Sequence, residues 1–241
     1  MNKFIILLKG ELLRLKRYNL FAASLFVSVM WVAILHFIDV ENVTSLVPML
    51  VFIDVTTMAM LLVGVTFIYE KDESTIRTLL VSPISKNEYI LAKMISHIIP
   101  SIISLSIMYA YSKAFKVIDI NYFKLMGAIV VIAFFHGLLG FLLTYFSKSF
   151  TDLLMAIMTL FFILILPVLL DEFNVVTNEI FRKLVYLLPT KAALTLLNST
   201  AGGFDTWEIV VSLIYLLLGS IILYYIVIRN FEKYSLEESG E

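Results

Sequence analysis

An all-α, polytopic membrane fold is predicted by three observations. Hydrophobic residues make up 61% of the 241-residue chain and charged residues only 15%, where soluble domains sit nearer one half and one quarter. Mean hydropathy reaches +0.96. Apolar runs of about 20 residues, the helical length that crosses a hydrocarbon core of about 30 Å, recur at 20–38, 46–69, 89–112, 124–146, 153–170 and 207–228.

Composition excludes several classes. With no cysteine, the chain has no disulfides, thiolate metal sites or cysteine nucleophiles. A net charge of −1 lacks the basic excess of a nucleic-acid binder. Residues 1–19 carry Lys3, Lys9, Arg14, Lys16 and Arg17, with Phe4, Leu8, Leu12 and Leu15 along one side. That pattern predicts an amphipathic helix lying along the cytoplasmic headgroups. The run at 20–38 is too long for a signal-peptide core, and polar residues follow it, so it is expected to stay as the first membrane helix.

Basic residues set the expected orientation. With the N-terminus inside, the cytoplasmic side holds the five leader residues, Lys71, Arg77, Lys86, Lys93, Lys148, Arg229 and Lys233. The other side holds Lys113, Lys116, Lys124, Arg182, Lys183 and Lys191. The bias places both termini, the tail at 229–241 and the loop at 70–88 in the cytoplasm.

Between the last two apolar runs, 171–206 is long for a loop, and its apolar middle is broken by Pro189 and Lys191. It is expected to form a re-entrant or interfacial helical hairpin, because irregular backbone at membrane depth needs shelter by protein.

Polar residues inside the apolar runs are costly and functional by default. Asp54 lies about 12 Å along its helix from Leu46, at 1.5 Å per residue. It could line a pathway, meet a cationic substrate, or simply bond Thr57 or a nearby hydroxyl. Lys93, His97, Ser101 and Ser104 share one face at helical spacing, as a substrate path or proton relay or, more plainly, as a bundle-facing stripe with Lys93 snorkelling outward. Pro100 on the same side is a potential kink. His36, His97 and His136 lack metal-ligand spacing. His136, Gly137, Gly140 and Thr144 form a small-residue face suited to close helix approach. Met155 and Met158 suit an adaptable apolar path or, more commonly, core filling.

The most informative segment is 70–93, EKDESTIRTLLVSPISKNEYILAK. Ile76, Leu79 and Leu80 fall on one helical face, and Ser82-Pro83 ends the helix because the residue before proline leaves the helical region. A plain turn would serve a membrane protein here, so an amphipathic insert suggests a cytoplasmic docking surface; a partnerless surface helix is the alternative.

This segment resembles the signature of ABC-2-type exporter permeases. Glu70, Lys71, Asp72 and Glu73 supply its charged start, followed by Thr75, Leu79-Leu80, Ser82-Pro83, Ser85 and then Lys93. Ser74 stands where the family usually has glycine, and serine can start a helix as an N-cap. The resemblance implies a transmembrane subunit that pairs with a second permease copy in a bacterial plasma membrane. It also implies docking of cytoplasmic ATPase subunits, through a coupling helix formed by Glu70, Lys71, Asp72, Glu73, Ser74, Thr75, Ile76, Arg77, Leu79, Leu80, Ser82, Pro83 and Ser85. The small-residue face of the fourth run has the permease dimer as one place to pack.

The chain has no G-x-x-x-x-G-K-[ST] to cradle phosphates, so any energy source must be another chain; the resemblance implies that ATP and magnesium are bound by the partner ATPase, and no catalytic residue is expected here. The apolar helices suit a hydrophobic or amphipathic cargo such as a drug, lipid or peptide. Antimicrobial-peptide immunity and sodium or polymer export are further uses of the same family. A non-transporting anchor or sensor, and a polytopic enzyme using Asp54 and the histidines, are the rivals from other classes.

Overall fold

A computed structural model describes residues 3–235, the side chains of Leu80 and Ser235 excepted. Among these residues the chain is helical, with one isolated bridge between Asn42 and Val117. The leader forms α1 (Lys3–Arg17), and α2 (Leu20–Phe37), α3 (Leu46–Asp72), the short α4 (Thr75–Leu80), α5 (Lys86–Phe115) and α6 (Tyr122–Leu143) follow. The fifth apolar run divides into α7 (Phe150–Leu160), a wide π-helical turn (Phe161–Ile165) and α8 (Leu166–Glu172). Then come α9 (Glu179–Val185), α10 (Pro189–Asn198) and α11 (Thr206–Ser235). Among the described residues, six helical segments are long and apolar enough to cross a membrane. The chain is a multi-pass membrane protein. Residues 236–241 of the expected tail lie outside the described residues.

The even number of spans brings both described termini to one end of the bundle. There Lys86 at the start of α5 meets Glu232 near the end of α11 at 3.1 Å. We call this the terminal end and its opposite the far end.

Helix α3 is the axis of the bundle, buried along most of its length and packed on α5, α6 and α10. Close approach to α6 depends on Gly140, where an added Cβ would lie 2.3 Å from the Met60 carbonyl oxygen. The small-residue face of α6 is therefore spent inside one chain, against α3. Helices α2 and α11 stand at the periphery and turn residues such as Phe26 and Ile221 outward, as lipid-facing helices do.

The wide turn in the fifth span has a local cause. Pro167 has no N–H to continue the regular ladder, and the Leu166 N–H reaches back to the Phe161 carbonyl. The nearby Leu164 carbonyl accepts from the Thr190 hydroxyl of α10. Met155 and Met158 on α7 are exposed and fill no core.

The 171–206 segment is helical in its own right. Pro189 starts α10, where its missing N–H costs nothing, and Ala193, Leu194 and Leu197 enter the main core against α3, α6 and α11. The helices also run past several expected boundaries. In particular α3 continues through Glu70 and Lys71 to Asp72, so the separate insert helix shrinks to Thr75–Leu80.

Candidate functional site

Four charged side chains meet at the terminal end, three of them (Glu11, Glu70 and Lys93) buried and Arg14 half-buried at the edge. The Lys93 ammonium donates to Glu70 at 2.8 Å and to Glu11 at 2.9 Å. Arg14 donates to Glu11 at 2.6 Å and to Glu70 at 3.0 Å. The Tyr89 hydroxyl donates to the second oxygen of Glu70. Every carboxylate oxygen thus has a donor, and two acids balance two bases. That balance is what allows charges to be buried at all.

Three helices supply the members, each for a local reason. Glu11 and Arg14 sit three apart on α1, on the face that buries Leu15. Glu70 lies in the last buried turn of α3, and Tyr89 and Lys93 lie one turn apart in the first part of α5. Burial works against the charge on Arg14, but Glu70 and Glu11 outweigh it and hold its ionisation above the usual guanidinium range. Beside the cluster, Tyr18 donates to Glu73 at 2.9 Å. Burial and that carboxylate push its phenol up as well.

Two separately expected groups therefore merge. Glu70, expected in the coupling segment, and Lys93, expected in the stripe of α5, form one site. Lys93 does not snorkel: it is fully buried, because two carboxylates stabilise its charge better than the route to water. His97 continues the polar path. Its Nδ1 lies 2.7 Å from the Lys93 carbonyl and so carries the proton, while Nε2 faces the Thr66 hydroxyl at 3.0 Å. Lys93 closes the loop to Thr66 at 3.4 Å.

The remaining expected residues stand apart. Asp54 accepts from Trp31 of α2 at 3.0 Å and from Ser104 of α5 at 2.8 Å. Thr57 turns instead to the Ile53 carbonyl. Ser101 is buried with no partner for its hydroxyl, and His136 bonds its own helix at the Ile132 carbonyl. No group of three or more His, Asp or Glu side chains suits a metal among the described residues.

The insert differs from expectation in which face it offers. Ile76 is 1% exposed and packs with Phe67, Tyr89 and Phe231 in the terminal-end core, and Leu79 leans on the same cluster. The apolar face anchors α4 to its own bundle and leaves Val81, 86% exposed, at the tip beside Pro83. The side chain of Leu80 lies outside the described residues. Ser74 does not cap the helix. It has φ 56° in the left-handed region with no side-chain cap bond. Glycine at that position of the family signature has the same geometric meaning. Ser85 does cap, in a reciprocal box with Glu88 at the start of α5, and the Ser82 hydroxyl closes onto the Leu79 carbonyl. Lys71, Asp72, Glu73, Thr75 and Arg77 lie around the same turn without entering the buried cluster.

Glu11, Arg14, Tyr89 and Thr66 are site residues that the motif did not mark. Glu11 had one signal, being the lone acid among the five cations of the leader.

Comparison with known proteins bears on the same architecture. Residues 2–239 match the fluoroquinolones export permease protein family. Two curated relatives from Mycobacterium tuberculosis, strains CDC 1551 / Oshkosh and ATCC 25618 / H37Rv, each carry the name fluoroquinolones export permease protein. Each is 24% identical over 244 residues, covering 100% of this chain and 99% of the relative.

Proposed function

The chain belongs to the fluoroquinolones export permease protein family, and from that premise we propose that it is the membrane subunit of an ATP-driven, ABC-2-type drug exporter. It works as a dimer of permease subunits in the bacterial plasma membrane, with both termini in the cytoplasm. ATP and magnesium are held by separate ATPase subunits that dock at the terminal end. Its cargo is a fluoroquinolone or a similarly amphipathic drug.

One observation carries this reading. Glu70, the last buried residue before the α4 excursion, is clamped by Lys93, Arg14 and Tyr89. A push on the α4 tip is thereby delivered to α1, α3 and α5 together, as a rigid-body step. Ile76 keeps α4 from sliding on the bundle, and Val81 and Pro83 form the contact knob that enters the ATPase.

The test is association and transport with a candidate ABC ATPase, sought first in the genes next to that of this chain. Val81→Asp should abolish co-purification of the two subunits and ATP-dependent fluoroquinolone uptake into inverted vesicles, while the permease itself remains folded. Unchanged association and uptake would overturn the docking assignment. Association without uptake by the unaltered protein would make the chain an anchor.

A further inference from the structure

At the far end, α10 and the first turns of α11 enclose a cleft that no function above uses. Tyr186, Trp207, Tyr215, Lys191, Glu208 and Ser212 are among the residues that line it, with the three rings part-exposed. The cleft is partly open and has a volume of about 110 Å³, somewhat less than a closed cavity that holds one benzene ring (about 150 Å³).

The charges in this cleft are unequal. Lys191 is already neutralised, by Asp171 at 2.7 Å and Glu172 at 3.7 Å. Glu208 accepts the Asp205 N–H through one oxygen and has no ion pair among the described residues. Two of the three rings, Trp207 and Tyr215, are likewise without a ring or cation partner among the described residues. Tyr215 is held by its hydroxyl bond to the Leu187 carbonyl at 2.8 Å, and Tyr186 faces Lys191. An unpaired carboxylate beside aromatic faces is the chemistry that selects a cation attached to a ring, through charge and cation–π attraction.

We infer that this cleft binds the protonated amine and adjoining aromatic ring of a cationic amphiphile on its way through or out of the protein. The inference rests on the drug-exporter reading and deepens it by assigning a binding site and a ligand class. Because the cleft is too small for a whole drug, it grips one end of the ligand and leaves the rest along the exposed side of α11 at Val211. Glu208 supplies the counter-charge, and Trp207 supplies the face. The plain alternative is an aromatic anchor at the membrane interface.

The test is equilibrium dialysis of radiolabelled ciprofloxacin against the full-length protein in lipid nanodiscs at neutral pH. Glu208→Gln keeps an acceptor for Asp205 and should raise Kd at least fivefold. Trp207→Leu should do the same, and Trp207→Phe should stay within twofold of the unaltered protein. Ciprofloxacin acetylated on its amine should bind the unaltered protein at least fivefold more weakly, and Glu208→Gln no differently. Drug binding that all variants share within twofold would overturn the cleft as a site, leaving an interface anchor only and the exporter reading intact. No drug binding by the unaltered protein would overturn both the cleft and the fluoroquinolone cargo.

Discussion

Lys93 and Glu11 lie 82 positions apart in the chain and meet at 2.9 Å with both side chains withdrawn from solvent. The contact joins the amphipathic leader to the bundle by charge as well as by the burial of Leu15. It matters because a buried ion pair is unforgiving. Its net stabilisation is small, but removing one partner strands the others in a low-dielectric site.

Lys93→Met therefore leaves Glu11 and Glu70 with Arg14 as the counter-charge they share in the cluster. The expected loss is about 3–5 kcal/mol, the usual cost of breaking a buried pair from one side. The double variant Lys93→Met with Glu11→Gln removes one charge of each sign and should recover part of it. Thermal unfolding of the four proteins in detergent reads the coupling directly, and a strictly additive pair of losses would refute the shared cluster.

How far the sequence alone reaches is clear from these residues. Six spans are legible because bilayer thickness imposes run length on composition, and α1 is legible because amphipathicity has a helical period. The charged cluster is not, since periodicity along one helix says nothing about which helix it faces. Ile76 makes the same point. Its apolar face could be read from spacing, but whether that face packs on a partner or on Phe67 and Phe231 of the same chain is a tertiary fact. Ser74 misled differently: residue type suggested a cap, whereas the turn between α3 and α4 required a positive φ.

Gly140 tests the packing of α3 on α6. A Cβ there would meet the Met60 backbone, which cannot rotate away as a side chain would. Gly140→Ala should cost about 1–3 kcal/mol by forced separation of the helices. Gly127→Ala, on the same helix with open space around its Cβ, should be neutral or slightly stabilising, since alanine favours helix over glycine. Equal melting temperatures for the two variants would refute the close approach.

Asp54 gives a prediction about the α2–α3–α5 junction. Asparagine can accept from Trp31 or Ser104 through one oxygen, but its amide presents a donor where the second oxygen was. Asp54→Asn should therefore lose about 1–3 kcal/mol for one unsatisfied buried group, with a change in Trp31 fluorescence. The protein still inserts, because no charge is added. Retained stability with unchanged Trp31 emission would show that the two hydrogen bonds do not hold this junction.

Tyr145 predicts a pH dependence. Its hydroxyl donates to the Val227 carbonyl at 2.7 Å, and burial pushes the phenol up from its ordinary range near 10. A raised folded value means the stabilisation is complete below about pH 10 and declines as pH rises beyond it. Tyr145→Phe should be about 1 kcal/mol less stable at pH 7 for the lost hydrogen bond. The gap should narrow above pH 10, because only the unaltered protein then ionises on unfolding. A gap constant from pH 7 to 11 would contradict the assignment.

Ser74 supplies the last prediction, and it has the opposite sign. At φ 56° a side chain with a Cβ is strained by about 1–2 kcal/mol, and Ser74 makes no cap bond that would offset it. Glycine removes the strain but adds freedom to the unfolded chain, a loss of about 0.4–1 kcal/mol. The difference favours Ser74→Gly by roughly 0.5–1 kcal/mol, and Ser74→Ala should be no better than the native residue. Because the turn sits between the Glu70 clamp and the α4 tip, the gain should appear in the melting temperature without changing ATPase association. A glycine variant less stable than serine would mean that the hydroxyl does more at this turn than the backbone geometry requires.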